Sequence, residues 1–210
     1  MVDALQSDDA ERLQHCVEGG GVAVLPTDTV YGVCCDPDNE SAARKLYALK
    51  GRAPRRACAV MFFALDLALR ALEELRDSER LALGALLPGP VTLLLRNPAQ
   101  RFAAACRQDR ESLGVRVPAL SERLAALSAV ASPVMQSSAN RSGDPDARSL
   151  AEVPASLLEE ADLVLDGGEL PGIPSTVVDL REFDAQRRWH VLREGALERS
   201  AVDAALAAVR

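Results

Sequence analysis

Residues 22–35 read VAVLPTDTVYGVCC. They follow the glycines Gly19, Gly20 and Gly21. Val22–Leu25 has the composition of a buried strand, and the chain turns apolar again at Val33. Between the two runs, Thr27, Asp28, Thr29 and Tyr31 place three hydroxyls and a carboxylate within five positions. Such a cluster is either turn chemistry, with hydroxyls closing on their own backbone, or one wall of a site at a strand end. On the second reading, strand alternation sends Thr27, Thr29 and Tyr31 towards a cavity. Asp28 then faces solvent or a nearby backbone amide.

The same motif, an apolar run ending in polar residues, recurs along the chain. Ser7 is a cap for a helix to about Glu18, and Asn39 for one through Leu49. Ala57–Phe63 has a strand's composition, followed by helical patterns at Leu65–Leu75 and Glu79–Leu87. The prolines at 88 and 90 break the latter, and Val91–Leu95 reads as a strand. Leu113–Val117 is extended, Leu120–Val130 helical and Pro133–Gln136 extended again. A helix around 154–161 precedes strands at Asp162–Leu165, Ser175–Leu180 and Trp189–Leu192, with a last helix from about Ser200. Helices and strands mixed over residues 1–210 predict a single α/β domain around one sheet.

Composition narrows the function. Of 210 residues, 48% are hydrophobic, enough for a core of this size. No apolar run reaches the ~20 residues that span a bilayer, and the acidic start MVDALQSDDAERLQ does not read as a secretory signal, so a soluble cytoplasmic protein is expected. The 31 acidic and 24 basic residues give a net charge of −7, which disfavours a protein held to nucleic acid mainly through phosphates. A local basic run, Lys45, Lys50, Arg52, Arg55 and Arg56, suits an anionic small molecule or a brief nucleic-acid contact. Five cysteines without CxxC spacing, and only His15 and His190, offer no zinc site; reduced, buried thiols are expected.

Six polar segments sit at the ends of strand-like runs: PTDTVYG (26–32), KGR (50–52), SLGVRVP (112–118), SSANRSG (137–143), GIPSTVVD (172–179) and LREG (192–195). In open α/β sheets, ligands collect at such strand ends. Lys50, Arg52, Arg116 and Arg193 supply positive charge, and Thr27, Ser112, Ser138, Asn140 and Ser175 supply neutral hydrogen bonds. That mixture suits a ligand bearing phosphate together with a carboxylate. Neither GxxxxGK[ST] nor GxGxxG is present.

PTDTVYG, KGR, PGPVTLLL, GVRVP, SANRSG and PSTVVD, in this order from about Gly20 to Gly195, resemble the YrdC-type family, whose founding activity is threonylcarbamoyl-AMP synthase. The resemblance implies an open, twisted mixed sheet with flanking helices around a basic cavity, in the short single-domain form. It implies joining of L-threonine and bicarbonate to AMP from ATP, with Mg²⁺ on the triphosphate, release of pyrophosphate and no resident metal. The product serves tRNA threonylcarbamoyladenosine modification, so tRNA or the downstream transfer enzymes are implied partners. Carried over by motif, Thr27, Arg116 and Ser175 hold threonine. Lys50 and Arg52 are the catalytic, phosphate-facing pair, and with Ser112, Ser138, Asn140 and Arg193 they contact the nucleotide. Departures from the family pattern fall at Ala57-Cys58 (where Pro-Leu is common), Met61 (near a histidine), Ser137 (a proline) and Asp146 (a serine). Two alternatives stay open: a paralogue adenylating another carbamate or acyl group, and a double-stranded RNA or tRNA binding module using the basic run.

Overall fold

The computed structural model describes residues 2–51, 53 and 56–209. Its strands are β1 (Ala23–Leu25), β2 (Gly32–Cys35), β3 (Ala59–Met61), β4 (Val91–Arg96), β5 (Ser112–Arg116), β6 (Val134–Ser138), β7 (Leu163–Val164), β8 (Thr176–Asp179) and β9 (His190–Arg193). The helices are α1 (Ser7–Glu18), α2 (Glu40–Leu49), α3 (Leu65–Ala71), α4 (Asp77–Leu86), α5 (Ala103–Cys106), α6 (Ala155–Glu160), α7 (Phe183–Gln186) and α8 (Arg199–Ala207).

All nine strands join one sheet in the order β7-β1-β2-β6-β3-β5-β4-β8-β9. The β1–β7, β3–β5 and β4–β8 pairs are parallel and the others antiparallel. The two edges do not meet, so the expected open, mixed α/β sheet with flanking helices is what forms.

The two faces of the sheet differ in chemistry. Along β4, Val91, Leu93 and Leu95 are buried, whereas Thr92, Leu94 and Arg96 are half-buried. This period-two pattern marks one face for the core and one for a partly open surface. Register aligns Gln136 with Ala59, Ala59 with Gly114 and Gly114 with Leu94 on that second face. Ala59 and Gly114 are small, so the sheet surface is low there while the longer side chains around them stand higher.

Helix ends follow local chemistry. Asn39 Oδ1 accepts the Ser41 and Ala42 N–H groups at 3.0 Å, the cap expected for α2. For α1 the cap is Gln6, not Ser7: Asp9 accepts the Gln6 N–H at 2.9 Å, and Ser7 is the first helical residue. Residues 122–129 form a 3₁₀ helix rather than the expected α-helix, and α4 starts at Asp77, where Glu79 caps the Arg76 N–H. The single-turn helices α5 and α7 are too short to leave a periodic signal.

Gly195, of LREG, is where the chain leaving β9 passes against the chain entering β8. A Cβ there would collide with the Pro174 carbonyl oxygen and lie 2.6 Å from the Ser175 carbonyl carbon. Gly195→Ala should therefore lower stability by ~1–3 kcal/mol. Gly84→Ala, in α4 with open space around it, should raise it by ~0.5–1 kcal/mol. Thermal unfolding of the two variants should shift in opposite directions.

Candidate functional site

The turn after β1 closes on itself before it reaches across the sheet. Thr27 Oγ1 donates to the Val30 carbonyl at 2.7 Å and accepts the Thr29 and Val30 N–H groups at 3.2 and 3.3 Å. It also lies 3.0 Å from Thr29 Oγ1. The Thr27 hydroxyl thus serves its own turn instead of pointing into a cavity. Asp28 meets its expectation of a backbone-amide partner but faces inward rather than to solvent. It accepts the Ala119 N–H at 2.9 Å, and it is also buried against Arg116, whose Nη2 donates to it at 2.6 Å. Strand alternation fails here because β1 ends at Leu25 and the backbone bends at residues 28–30. Tyr31 turns away as well. Its hydroxyl donates towards the Gly168 carbonyl at 2.8 Å, with the Asp166 carboxylate at 3.0 Å, and accepts the Gly167 N–H at 2.9 Å.

Arg116 is the centre of the arrangement. Its Nη2 also donates to Thr29 Oγ1 at 3.0 Å. The two charged side chains are only 4% and 5% exposed. Burial disfavours both charges, pushing Arg116 down and Asp28 up, and each opposes that shift in the other. Arg116 Nε is buried with no hydrogen-bond partner among the described residues. An unmet donor of this kind is costly unless something fills it.

That guanidinium lines a cleft of about 230 Å³ over the partly open face of the sheet. Ser138, Ser175 and Arg193 line it too. Arg193 donates from Nε and Nη2 to the Ser175 carbonyl at 3.1 and 2.6 Å, and Thr92 Oγ1 lies 2.9 Å from Ser175 Oγ. Arg116, Ser138, Ser175 and Arg193, drawn from four separate motifs, are therefore brought together.

The other candidates sit around or away from the cleft. Lys50, 1% exposed, caps the end of α2 and donates to the Ser138 carbonyl, to the Asn140 carbonyl at 2.8 Å and to Asn140 Oδ1 at 3.1 Å. Asn140 Oδ1 also accepts from Ser138 Oγ at 2.7 Å, so Lys50 and Asn140 form the support of Ser138. Ser112 lies at the other end of β5 from Arg116 and accepts from Arg181 Nη1 at 3.0 Å; it does not line the cleft. Arg52 lies outside the described residues. Thr27 does not itself line the cleft; it is linked to it through Val30 and, by way of Thr29, through Arg116.

Two polar lining residues escaped the sequence reading: Thr92 and Gln136. A signal existed for both. Gln136 lies two positions from Ser138 in one strand, hence on the same face, and Thr92 is the lone hydroxyl of an apolar strand. Ala57, Cys58, Ser137 and Asp146, where the motifs depart from the family pattern, all line the cleft, whereas Met61 is fully buried and does not. The five cysteines are free. Burial pushes the Cys35 thiol up to about 12 and the Cys106 thiol up to about 11, which suits inert, reduced side chains.

A family model, Sua5/YciO/YrdC, described as telomere recombination, matches residues 15–195. The chain belongs to the Sua5/YciO/YrdC family. Among its relatives, the threonylcarbamoyl-AMP synthase of Chromohalobacter salexigens is 36% identical over 189 residues, covering 86% of this chain and 99% of that one. The protein of that name from Xanthomonas euvesicatoria is 34% identical over 172 residues, covering 80% and 88%. Two solved structures share the Sua5/YciO/YrdC fold at low identity. E. coli YciO has a TM-score of 0.79 at 24% identity, covering 95% of each chain. P. abyssi Sua5, complexed with L-threonine, has a TM-score of 0.81 at 23% identity, covering 98% of this chain. This chain spans 59% of that one's length.

The turn geometry makes a test of Thr27. Thr27→Val keeps the shape but removes the acceptor of two N–H groups, so it should destabilise the fold by ~1–3 kcal/mol. Denaturant unfolding measures this. Unchanged stability would mean that the hydroxyl is not closing the turn.

Proposed function

We propose that this chain is a nucleotidyltransferase that makes threonylcarbamoyl-AMP from L-threonine, bicarbonate and ATP, with release of pyrophosphate. The product then feeds threonylcarbamoyladenosine modification of tRNA in the cytoplasm. The observation that carries the reading is the buried Arg116 lining the cleft, its guanidinium held in place by Asp28 and Thr29. A fixed guanidinium edge of this kind suits a carboxylate. The names of relatives 34–36% identical over most of the chain support the same reading.

The reaction asks for placement more than for side-chain chemistry. The threonine nitrogen adds to carbon dioxide from bicarbonate, giving a carbamate. A carbamate oxygen then attacks the α-phosphorus of ATP, and pyrophosphate leaves. Holding the reactants together contributes ~7–11 kcal/mol through proximity and orientation. In this scheme Arg116 and the Ser175 hydroxyl take the amino acid, while Arg193 donates to the nucleotide and the Ser138 hydroxyl oxygen accepts from it. Lys50 and Asn140 hold Ser138 in place, and Arg52 faces the phosphates by its place in KGR. The Mg²⁺ of this proposal enters as part of the ATP substrate, held by its phosphates.

The RNA-module alternative draws less support. Lys45 is paired with Asp162 at 2.6 Å and Lys50 points inward, so these two lysines do not contribute a free basic surface.

Pyrophosphate release should require threonine and bicarbonate together; equal release with either one omitted would sink the proposal. Serine should be used less well, by ~1–3 kcal/mol in kcat/KM, since it lacks the methyl group. Arg52→Ala should lower kcat by ~10²-fold, the effect of losing one charge-stabilising donor. A variant with normal turnover would remove Arg52 from the site.

A further inference from the structure

The turn that ends α5 carries an arginine where its shape calls for glycine. The Cys106 carbonyl accepts the Asp109 N–H at 3.3 Å, and Arg107, the first central residue, has φ 58° and ψ −113°. That is the type II′ position that glycine takes, and a side chain there strains the backbone. Phe102 and Arg187 also have positive φ, but with ψ 48° and 36° they sit in the left-handed helical basin. A strained residue persists where its surroundings over-determine it, and such residues cluster at functional sites. Here the surroundings act on the side chain, which is 11% exposed. Arg107 Nη1 donates to Glu40 on α2 at 3.1 Å, and the guanidinium carbon lies 4.6 Å from the centre of the Tyr47 ring. A desolvated cation over an aromatic face is attracted to it. Tyr47, 2% exposed, passes the contact on: its hydroxyl donates to the Arg56 carbonyl and lies 3.3 Å from Cys58 Sγ. The Cys58 N–H donates to the Ala105 carbonyl of α5 at 3.0 Å. Residues 56–58 are thus gripped from α2 and from α5, and Arg107, one residue past α5, ties the two sides together.

The gripped segment leads into β3, and Ala57, Cys58 and Ala59 line the cleft. Arg52 belongs by sequence to the same connection between α2 and β3. We propose that Arg107 and Tyr47 are positioning residues, which hold the 56–58 wall of the cleft and with it the connection that carries Arg52. This rests on the synthase reading and adds to it a support that lies outside the cleft. Neither side chain lines the cleft, so both act through the segment they hold. Threonine, in that reading, is taken by Arg116 and Ser175, whose own partners are Asp28, Thr29, Thr92 and Arg193. Loosening the 56–58 wall therefore shows in turnover and in the packing of the wall, not in the hold on threonine.

Arg107→Gly and Tyr47→Phe test this in the full chain. Arg107→Gly removes the side chain but also relieves the backbone, so its thermal unfolding should change little. In both variants kcat for pyrophosphate release should fall about tenfold, with KM for threonine unchanged. Cys58, 6% exposed, supplies a second readout that needs no turnover. Its alkylation by iodoacetamide in the native protein, followed by mass spectrometry, should quicken about tenfold, while the fully buried Cys34 stays protected. Arg107→Gly leaves the tyrosine hydroxyl beside Cys58, so faster labelling there reports loosening of the wall. Should that variant fail to fold, Tyr47→Phe, which deletes a single hydroxyl, decides alone. If the wild type turns over and the variants match it in turnover or in labelling, this inference is overturned and the synthase reading stands. A wild type that releases no pyrophosphate with threonine overturns the synthase reading, and the labelling then judges the hold on residues 56–58 by itself.

Discussion

The buried ion pair between Arg116 and Asp28, 2.6 Å across, couples the end of β5 to the turn that follows β1. Three strands, β2, β6 and β3, lie between β1 and β5 in the sheet order, so the contact spans much of the sheet's width. Removing either partner of a buried pair leaves an uncompensated charge and typically costs ~3–5 kcal/mol. The pair also determines how Arg116 can act. With Nη2 committed to Asp28 and Thr29, the guanidinium is held in one orientation at the wall of the cleft. Side-chain rigidity of this kind is what a binding site needs, because the ligand does not have to order the residue that receives it.

Around that anchor, the cleft is a sheet surface rather than a set of loops alone. Small residues at Ala59 and Gly114 lower the floor, and Thr92, Gln136 and Arg116 rise from neighbouring strands. The loops then close the rim: the 138–146 segment, tied down by Lys50 and Tyr31, and the chain through Pro174 and Ser175, held by Arg193. A strand-borne floor gives precise placement, while the rim can vary in chemistry without disturbing the core. Of the five positions that differ from the family pattern, Ala57, Cys58, Ser137 and Asp146 line the cleft, and Met61 lies in the core. That distribution is why recognition of the amino acid is where this chain is expected to have its own character.

An acidic protein binding an anionic substrate is no contradiction at this scale. The net charge of −7 acts over distances comparable to the ~8–10 Å screening length, whereas the cleft presents Arg116 and Arg193 at contact range. Much of the remaining basic charge is locally paired, as in Lys45 with Asp162, Arg76 with Asp184 and Arg101 with Glu74. Local arrangement decides what binds, and the total decides solubility.

The amino-acid sequence by itself determined the class of the fold and the cast of the site. Apolar runs of strand length alternating with capped amphipathic helices specify a sheet with helices against it, because each element must bury its own apolar face. The polar strand ends likewise marked Arg116, Ser138, Ser175 and Arg193 before any coordinates. Only the tertiary structure decided which way the side chains in PTDTVYG point. That depends on where β1 stops and on Arg116, 88 residues away, being positioned to draw Asp28 inward. It alone made Lys50 a buried support for Ser138, and it alone brought Gln136 and Asp146 to the cleft. Strand order and loop anchoring are non-local, so no periodicity within ten or fifteen residues carries them.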